Sequence, residues 1–298
     1  MSSENMLSKP GYIGRFAPSP TGPLHLGSLA TALASFIHAK QCNGQWLLRM
    51  EDIDQPRCIT GADQLIMQSL QAHGLHWDAD VLYQSDCLAR YSDVLTTLQT
   101  QIYRCDCTRA QIKARGVAYD GHCRGRNEVT SPYAIRFRHQ DPIVSFTDLL
   151  LGGVQLDDLF CTEDFVLCRR DGLFAYHLVV VADDIHQGVN TIVRGADLLA
   201  TTSCHLALYK AFGASPPSYA HLPVLVTAPS MKLSKQNHAP AIADSQAVNN
   251  LHTVLSVLGF APPTKEDLSS VSATIDWAVQ CIDITSLRGV REVIVESA

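Results

Sequence analysis

At 298 residues, with 46% hydrophobic and 17% charged side chains, the chain can bury a substantial core in one large or two modest domains. A mean hydropathy of +0.04, with no run near the ~20 apolar residues of a span, argues against a helical membrane protein. The first eleven residues are polar and carry no apolar export signal, so the ten cysteines are expected to stay reduced in a cytoplasmic protein.

Tyr12 to Phe16 reads as a short strand running into Ala17-Pro18-Ser19-Pro20-Thr21-Gly22-Pro23, a loop whose prolines bar a helix. Leu26 to Ala39 reads as a helix, and Gln45 to Met50 as a buried strand ending in the acidic turn Glu51-Asp52-Ile53-Asp54. Thr60 and Asp63 mark a second helix start, and Leu88, Tyr91, Leu95, Leu98 and Ile102 fall at helical spacing. This alternation predicts an α/β protein with a doubly wound parallel sheet. From about 104 to 190 the helical pattern gives way to short β-like runs, such as Tyr133 to Arg138 and Asp164 to Arg170, which read as an insertion. Helices return from Asp197 to Phe212 and from Ser245 to Leu258, with a strand from Leu222 to Val226 between them. The division expected is a core in two halves, 1–103 and 191–240, the insertion at 104–190 and a helical tail at 241–298.

The formal charge of −6 is unevenly spread. Eight basic and three acidic residues between Arg104 and Arg138 make that segment +5 and leave −11 on the rest. Such a segment suits a polyanion such as RNA, or is a solvated face of arginines. Cys105, Cys107 and Cys123 cluster in the same segment, with Tyr119 and His122 among them. Three thiolates and one further donor are the kind of set that zinc takes. On chemistry alone His122 is the first choice for the fourth donor, although sharing one ion with its neighbour Cys123 is strained.

Gly14 to Ser28 places the glycine- and proline-rich loop directly before His25-Leu26-Gly27-Ser28 at a helix start. A helix N-terminus offers N–H groups and a positive dipole end to phosphate. Gly27 admits close approach, and His25 can donate to a phosphate oxygen. Neither G-x-G-x-x-G nor a Walker loop occurs. About 205 residues later, Met231-Lys232-Leu233-Ser234-Lys235-Gln236 sets two lysines around a serine, which suits the polyphosphate end of ATP.

Together and in this order, the two segments resemble the HIGH and KMSKS signatures of class I aminoacyl-tRNA synthetases. The block from Arg15 to Gly27, R-F-A-P-S-P-T-G-P-L-H-L-G, is similar to the glutamyl branch. The resemblance covers about residues 12–240, with Ser28 replacing a second histidine and Gln236 a final serine. It implies a Rossmann-type core, an inserted zinc-bearing acceptor-type subdomain and a short helical C-terminal region. It further implies that Arg15, Ala17 and Ser19 contact the amino acid, Glu51 holds its α-ammonium, Tyr176 lines the pocket and Arg194 clamps the side chain. His25, Gly27, Ser28 and Lys235 would bind ATP, with catalysis by His25, Lys235 and Lys232, and Mg²⁺ would accompany the nucleotide. The implied ligands of one structural zinc are Cys105, Cys107, Tyr119 and Cys123. His177 stands where the glutamyl branch more often has asparagine. The chemistry fits glutamate, whose two carboxylates and one ammonium call for arginine forks and a carboxylate.

Only 62 residues follow Gln236, too few for the large helical anticodon-binding region of a full glutamyl enzyme. The length is similar instead to the truncated paralogues of that branch. These activate glutamate without tRNA and attach it to the queuosine base in the anticodon stem-loop of tRNA(Asp). The resemblance implies a monomer with ATP, L-glutamate and tRNA(Asp) as partners and no membrane. Two other readings are a minimal enzyme charging a tRNA 3′ end and a non-catalytic tRNA-binding module. Intact His25, Lys235, Arg15 and Arg194 argue against the module, which has no use for an amino-acid clamp.

Overall fold

The computed structural model describes residues 11–156, 159–228, 231–232 and 240–295, the side chains of 231 and 232 excepted. Strand β1 (Ile13–Phe16), helix α1 (Leu26–Gln41) and strand β2 (Gln45–Met50) open the chain. Ile13 to Phe16 pair in parallel with Gln45 to Leu48, so α1 is the crossover that a parallel pair requires. The prolines at 18, 20 and 23 withhold backbone donors until His25, which caps α1. The next pair, α2 (Ala62–Ala72) and β3 (Leu82–Tyr83), adds a third parallel strand beside β2. The expected start at Thr60 moves to Gly61, whose φ of +80° suits glycine, and Asp63 lies in the first turn of α2.

The helix read through to Ile102 stops earlier. α3 (Leu88–Thr97) ends, and Ile102 opens strand β4 (Ile102–Cys105). Leu95, Leu98 and Ile102 all pack into one apolar cluster, so the helical spacing continues through a turn that is not helical. Two helices also interrupt the stretch read as β-rich. α4 (Arg109–Arg115) starts on a capping box between Thr108 and Gln111. β5 (Ala134–Phe137) pairs antiparallel with β4, β6 (Ser145–Asp148) and β7 (Gly152–Gln155) form a hairpin, and β8 (Val166–Cys168) pairs with β5. α5 (Tyr176–His186) contains the valine run 179–181, which has strand propensity. Continuous burial from Leu178 to Asp184, against α3, α6 and β8, overrides it. That α6 is Thr201–Ala211, and it follows β9 (Thr191–Gly195).

β9 pairs in parallel with β10 (Ser218–Leu222), and β10 meets β6 at Tyr219 and Asp148. β1 lies beside β9: the Asn190 amide donates to Ile13 O, and Asn190 Oδ1 accepts the Ile13 N–H, both at 3.0 Å. The chain therefore winds outward from β1 through β2 to β3, and from β9 to β10 on the other side. Ligands of such sheets bind where the winding reverses, between β1 and β9 here. The single strand read from Leu222 to Val226 is two strands, β10 and β11 (Val224–Ala228), divided at Pro223. β11 pairs with β12 (Met231–Lys232).

The C-terminal region forms α7 (Ala247–Val257) and α8 (Val271–Cys281), as its pattern predicts, then returns a strand, β13 (Glu292–Ile294), parallel to β11. Leu251, Val254, Leu255, Ala278 and Ile282 share one apolar cluster with Leu29, Leu33, Ile37 and Trp46. The helices after residue 240 thus pack on α1 in the main core. Among the described residues, no helix is long and apolar enough to cross a membrane. Leu251 is fully buried. We expect Leu251→Ala to cost about 2–5 kcal/mol. In a urea melt, Trp46 burial and total helicity should be lost in one shifted transition; separate transitions for the two would show that the C-terminal helices form a unit of their own.

Candidate active site

The reversal between β1 and β9 opens into a cavity of about 500 Å³. Arg15 enters it from β1, Ala17 and Ser19 from the following loop, and Glu51 from the end of β2. Tyr176 is the first residue of α5, and Arg194 comes from β9. His25, Gly27 and Ser28 line the same cavity at the N-terminus of α1. Nine residues singled out in the sequence are therefore neighbours around one space. Lys235 and the side chain of Lys232 lie outside the described residues.

The floor of the cavity is charged. Arg15 is opposite Leu47 in the β1–β2 register, which puts Arg49, two residues on, on the same face. Both guanidiniums reach Asp184 Oδ1 on α5, Arg15 through Nε at 3.2 Å and Arg49 through Nη2. All three side chains are buried. Burial alone would raise the Asp184 carboxyl, but Arg15 and Arg49 outweigh it and hold it below the usual carboxylate range. Glu51 has no such direct partner: burial pushes it up to about 7, with only partial relief from Arg49 and Arg15. A cationic group on a ligand would supply the counter-charge that this carboxylate lacks.

Arg194 presents a contrasting environment, since it forms no ion pair among the described residues. Its Nε donates to His221 Nε2 at 3.1 Å, Nη1 to His205 Nδ1 at 3.2 Å, and Nη2 to Thr202 Oγ1 at 2.8 Å and Leu198 O at 3.2 Å. Burial depresses the basicity of His205 and His221, and the charge of Arg194 adds to it, so both rings are neutral acceptors. His177, the departure from the glutamyl pattern, is lowered to about 4 by burial and then by Arg194. Its ring packs between those of Tyr176 and His205 at 5.6 and 5.4 Å. His177 is therefore a neutral packing ring beside the cavity.

His25 caps α1, its Nδ1 accepting the Ser28 N–H at 3.3 Å, which leaves the ring proton on Nε2. Ala241 forms a β-bridge with His25 from the far side.

A second cluster lies around β4. The sulfurs of Cys105, Cys107 and Cys123 are buried within 4.8 Å of one another and could hold a metal ion. The Tyr119 hydroxyl is buried with them and accepts the Cys123 N–H at 2.9 Å, whereas the His122 side chain is exposed and outside the group. That exposure sets His122, the first choice on chemistry alone, apart from the buried group. Arg115 and Arg126 reach the sulfurs of Cys107 and Cys123 at 3.0 and 3.5 Å, placing positive charge where metal-bound thiolates carry negative charge. The donor set therefore fits a thiolate-bound ion. Arg115 and Arg126 pair with Asp120 and Asp106, which the +5 of this segment already counts, and Arg124 pairs with Asp164 outside it, which offsets one further charge.

A family model for the catalytic domain of class I tRNA synthetases (E and Q) matches residues 13–269. The glutamyl-Q tRNA(Asp) synthetase of Idiomarina loihiensis is 47% identical over 271 residues, covering 90% of this chain and 96% of that one. The glutamyl-Q tRNA(Asp) synthetase of Escherichia coli K12 is 49% identical over 250 residues, covering 83% of this chain and 81% of that one. The chain belongs to this family. Its fold is also that of a glutamate-tRNA synthetase from Elizabethkingia anophelis, with a TM-score of 0.78, 24% identity, and coverage of 96% of this chain and 68% of that one.

Four further charged or polar side chains at this site, Arg49, Asp184, His205 and His221, lie outside the sequence motifs. A charged residue inside an apolar strand, as in QWLLRM, or a carboxylate inside an apolar helix, as in VVVADD, is the local signal that points to Arg49 and Asp184. His205 and His221 carry no such signal. For the cysteine cluster, native mass spectrometry is expected to show one divalent ion per chain, lost together with thermal stability in Cys105→Ser. A purified wild-type protein that stays metal-free when supplied with zinc contradicts this.

Proposed function

We propose that the protein activates L-glutamate as glutamyl-adenylate without tRNA and then transfers the glutamyl group to the queuosine base in the anticodon of tRNA(Asp). The observation that carries this reading is the joining of Arg15, Glu51, Tyr176 and Arg194 to the N-terminus of α1 in one cavity, within a chain of this family. Relatives matching at 46–49% identity are named for that reaction, which favours it over charging of a tRNA 3′ end.

In the first step an oxygen of the glutamate α-carboxylate attacks the α-phosphorus of ATP, and the bond to pyrophosphate breaks. The carboxylate is already ionised, so no general base is needed, and positioning and charge neutralisation do the work. Glu51 takes the ammonium, Arg15 and Arg194 take the carboxylates, and Tyr176 closes the pocket wall. His25 Nε2–H serves an α-phosphate oxygen, Gly27 and Ser28 offer the helix N-terminus, and Lys235 with Lys232 serves the departing pyrophosphate. Mg²⁺ arrives with the nucleotide. In the second step a hydroxyl of the modified base attacks the acyl carbon and AMP leaves. Cys105, Cys107, Cys123 and the Tyr119 hydroxyl would hold one zinc, a structural ion far removed in role from these steps.

Two outcomes test the reading. Labelled glutamate should pass to tRNA from cells that make queuosine and not to tRNA from cells that lack it, and Lys235→Ala should cut glutamate-dependent ATP–pyrophosphate exchange by more than about tenfold. Equal labelling of the two tRNA pools would defeat the acceptor assignment, and unchanged exchange would remove Lys235.

The position of Glu51 adds a pH dependence. A bound ammonium favours its ionised form, so the carboxyl titrates lower in the complex than its value of about 7 in the empty cavity. Affinity is then full above that value and declines as pH falls through it. The KM for glutamate should climb by up to about tenfold per pH unit below neutrality, and Glu51→Gln should raise KM at alkaline pH and flatten the profile.

A further inference from the structure

We propose that His221 and Asp148 are positioning residues for Arg194, and that they set the preference for an acidic over an amide side chain. The inference rests on the glutamate reading above. An arginine offers five N–H donors and no acceptor. Four of those on Arg194 are taken, by His221, His205, Thr202 and the Leu198 carbonyl. Each acceptor is uncharged. One N–H and the whole positive charge remain at the cavity wall.

The arrangement follows from the sheet. His221 is the direct cross-strand partner of Arg194 in the β9–β10 register, and Tyr219, two residues back, is opposite Asp148 of β6. Arg194 can only donate, so His221 Nε2 must be the bare nitrogen and the ring proton must sit on Nδ1. There it donates to Asp148 Oδ2 at 2.6 Å. Asp148 is itself held through Oδ1 by the backbone N–H groups of Leu150, Leu151 and His221, at 2.9, 2.9 and 3.2 Å. The carboxylate therefore fixes the tautomer, the tautomer fixes the guanidinium, and the imidazole keeps the negative charge away from it. A carboxylate placed directly on Arg194 would hold it equally well but would cancel the charge that the substrate answers. A substrate carboxylate supplies both a counter-charge and acceptors; an amide supplies no charge and turns an NH₂ toward a wall of donors.

The test uses tRNA-free ATP–pyrophosphate exchange with the full chain. H221F removes the acceptor while filling the space, and we expect the KM for glutamate to rise by about tenfold or more and the margin over glutamine to shrink, with the KM for ATP within about twofold of wild type. H221Q restores an oxygen acceptor and should recover part of the loss. D148N keeps the shape, but its NH₂ would donate to His221 Nδ1 and turn the other nitrogen into an N–H facing Arg194. It should therefore raise the KM for glutamate alone, and this effect should vanish when D148N is combined with H221F. Should H221F fail to fold, D148N and H221Q carry the same readout. An unchanged KM for glutamate in H221F or D148N overturns the inference, as does a parallel loss for glutamate and ATP that tracks melting temperature and is not eased by H221Q. Absence of exchange in the wild-type protein overturns the glutamate reading, and this inference with it.

Discussion

The Asp184 carboxylate, shared by the guanidiniums of Arg15 and Arg49, is the contact on which the site depends. It ties α5 to β1 and β2 at the place where both strands end at the cavity. Taking three charges out of water is costly, and losing one partner of such a buried group costs about 3–5 kcal/mol because the others are left uncompensated. Asp183, next in the chain, faces the other way and takes Gln84, Arg90 and Tyr91. α5 is thereby fixed on two sides, and Tyr176 at its start is placed with it.

The same cavity uses two opposite electrostatic strategies. At Asp184 positive and negative charges meet directly, two guanidiniums on one carboxylate, and the trio keeps a net positive charge. At Glu51 and Arg194 they do not: each keeps a charge that lacks a direct counter-ion, one negative and one positive. With the net positive charge of the Asp184 trio, the wall offers two positive charges and one negative, the complement of two carboxylates and one ammonium. On the glutamate reading proposed above, selectivity follows from leaving these charges unanswered, since a neutral competitor inherits their desolvation cost.

What could be read from the sequence divides along physical lines. The Pro/Gly loop and His25 were legible because backbone chemistry is local: proline forbids the ladder and a capping side chain sits beside its helix. The cysteine cluster was legible from spacing, whereas the burial of Tyr119 and the exposure of His122 were not. Glu51, Tyr176 and Arg194 were carried by likeness to a family, and their common cavity is consistent with it. Asp148 and His221 were not legible, because each acts on a residue 27 or 73 positions away and a single Asp or His leaves no periodic trace. α5 was missed for another reason, since valines favour a strand and only complete burial makes them a helix.

The bridge between His25 and Ala241 has a consequence for how this site can change over time. Lys232 is paired to Val226, and Ala241 lies against the N-terminal end of α1. Both posts are set by backbone pairing, which is indifferent to side-chain identity. A substitution at either post therefore leaves its pairing available, proline excepted, since proline withdraws the backbone donor.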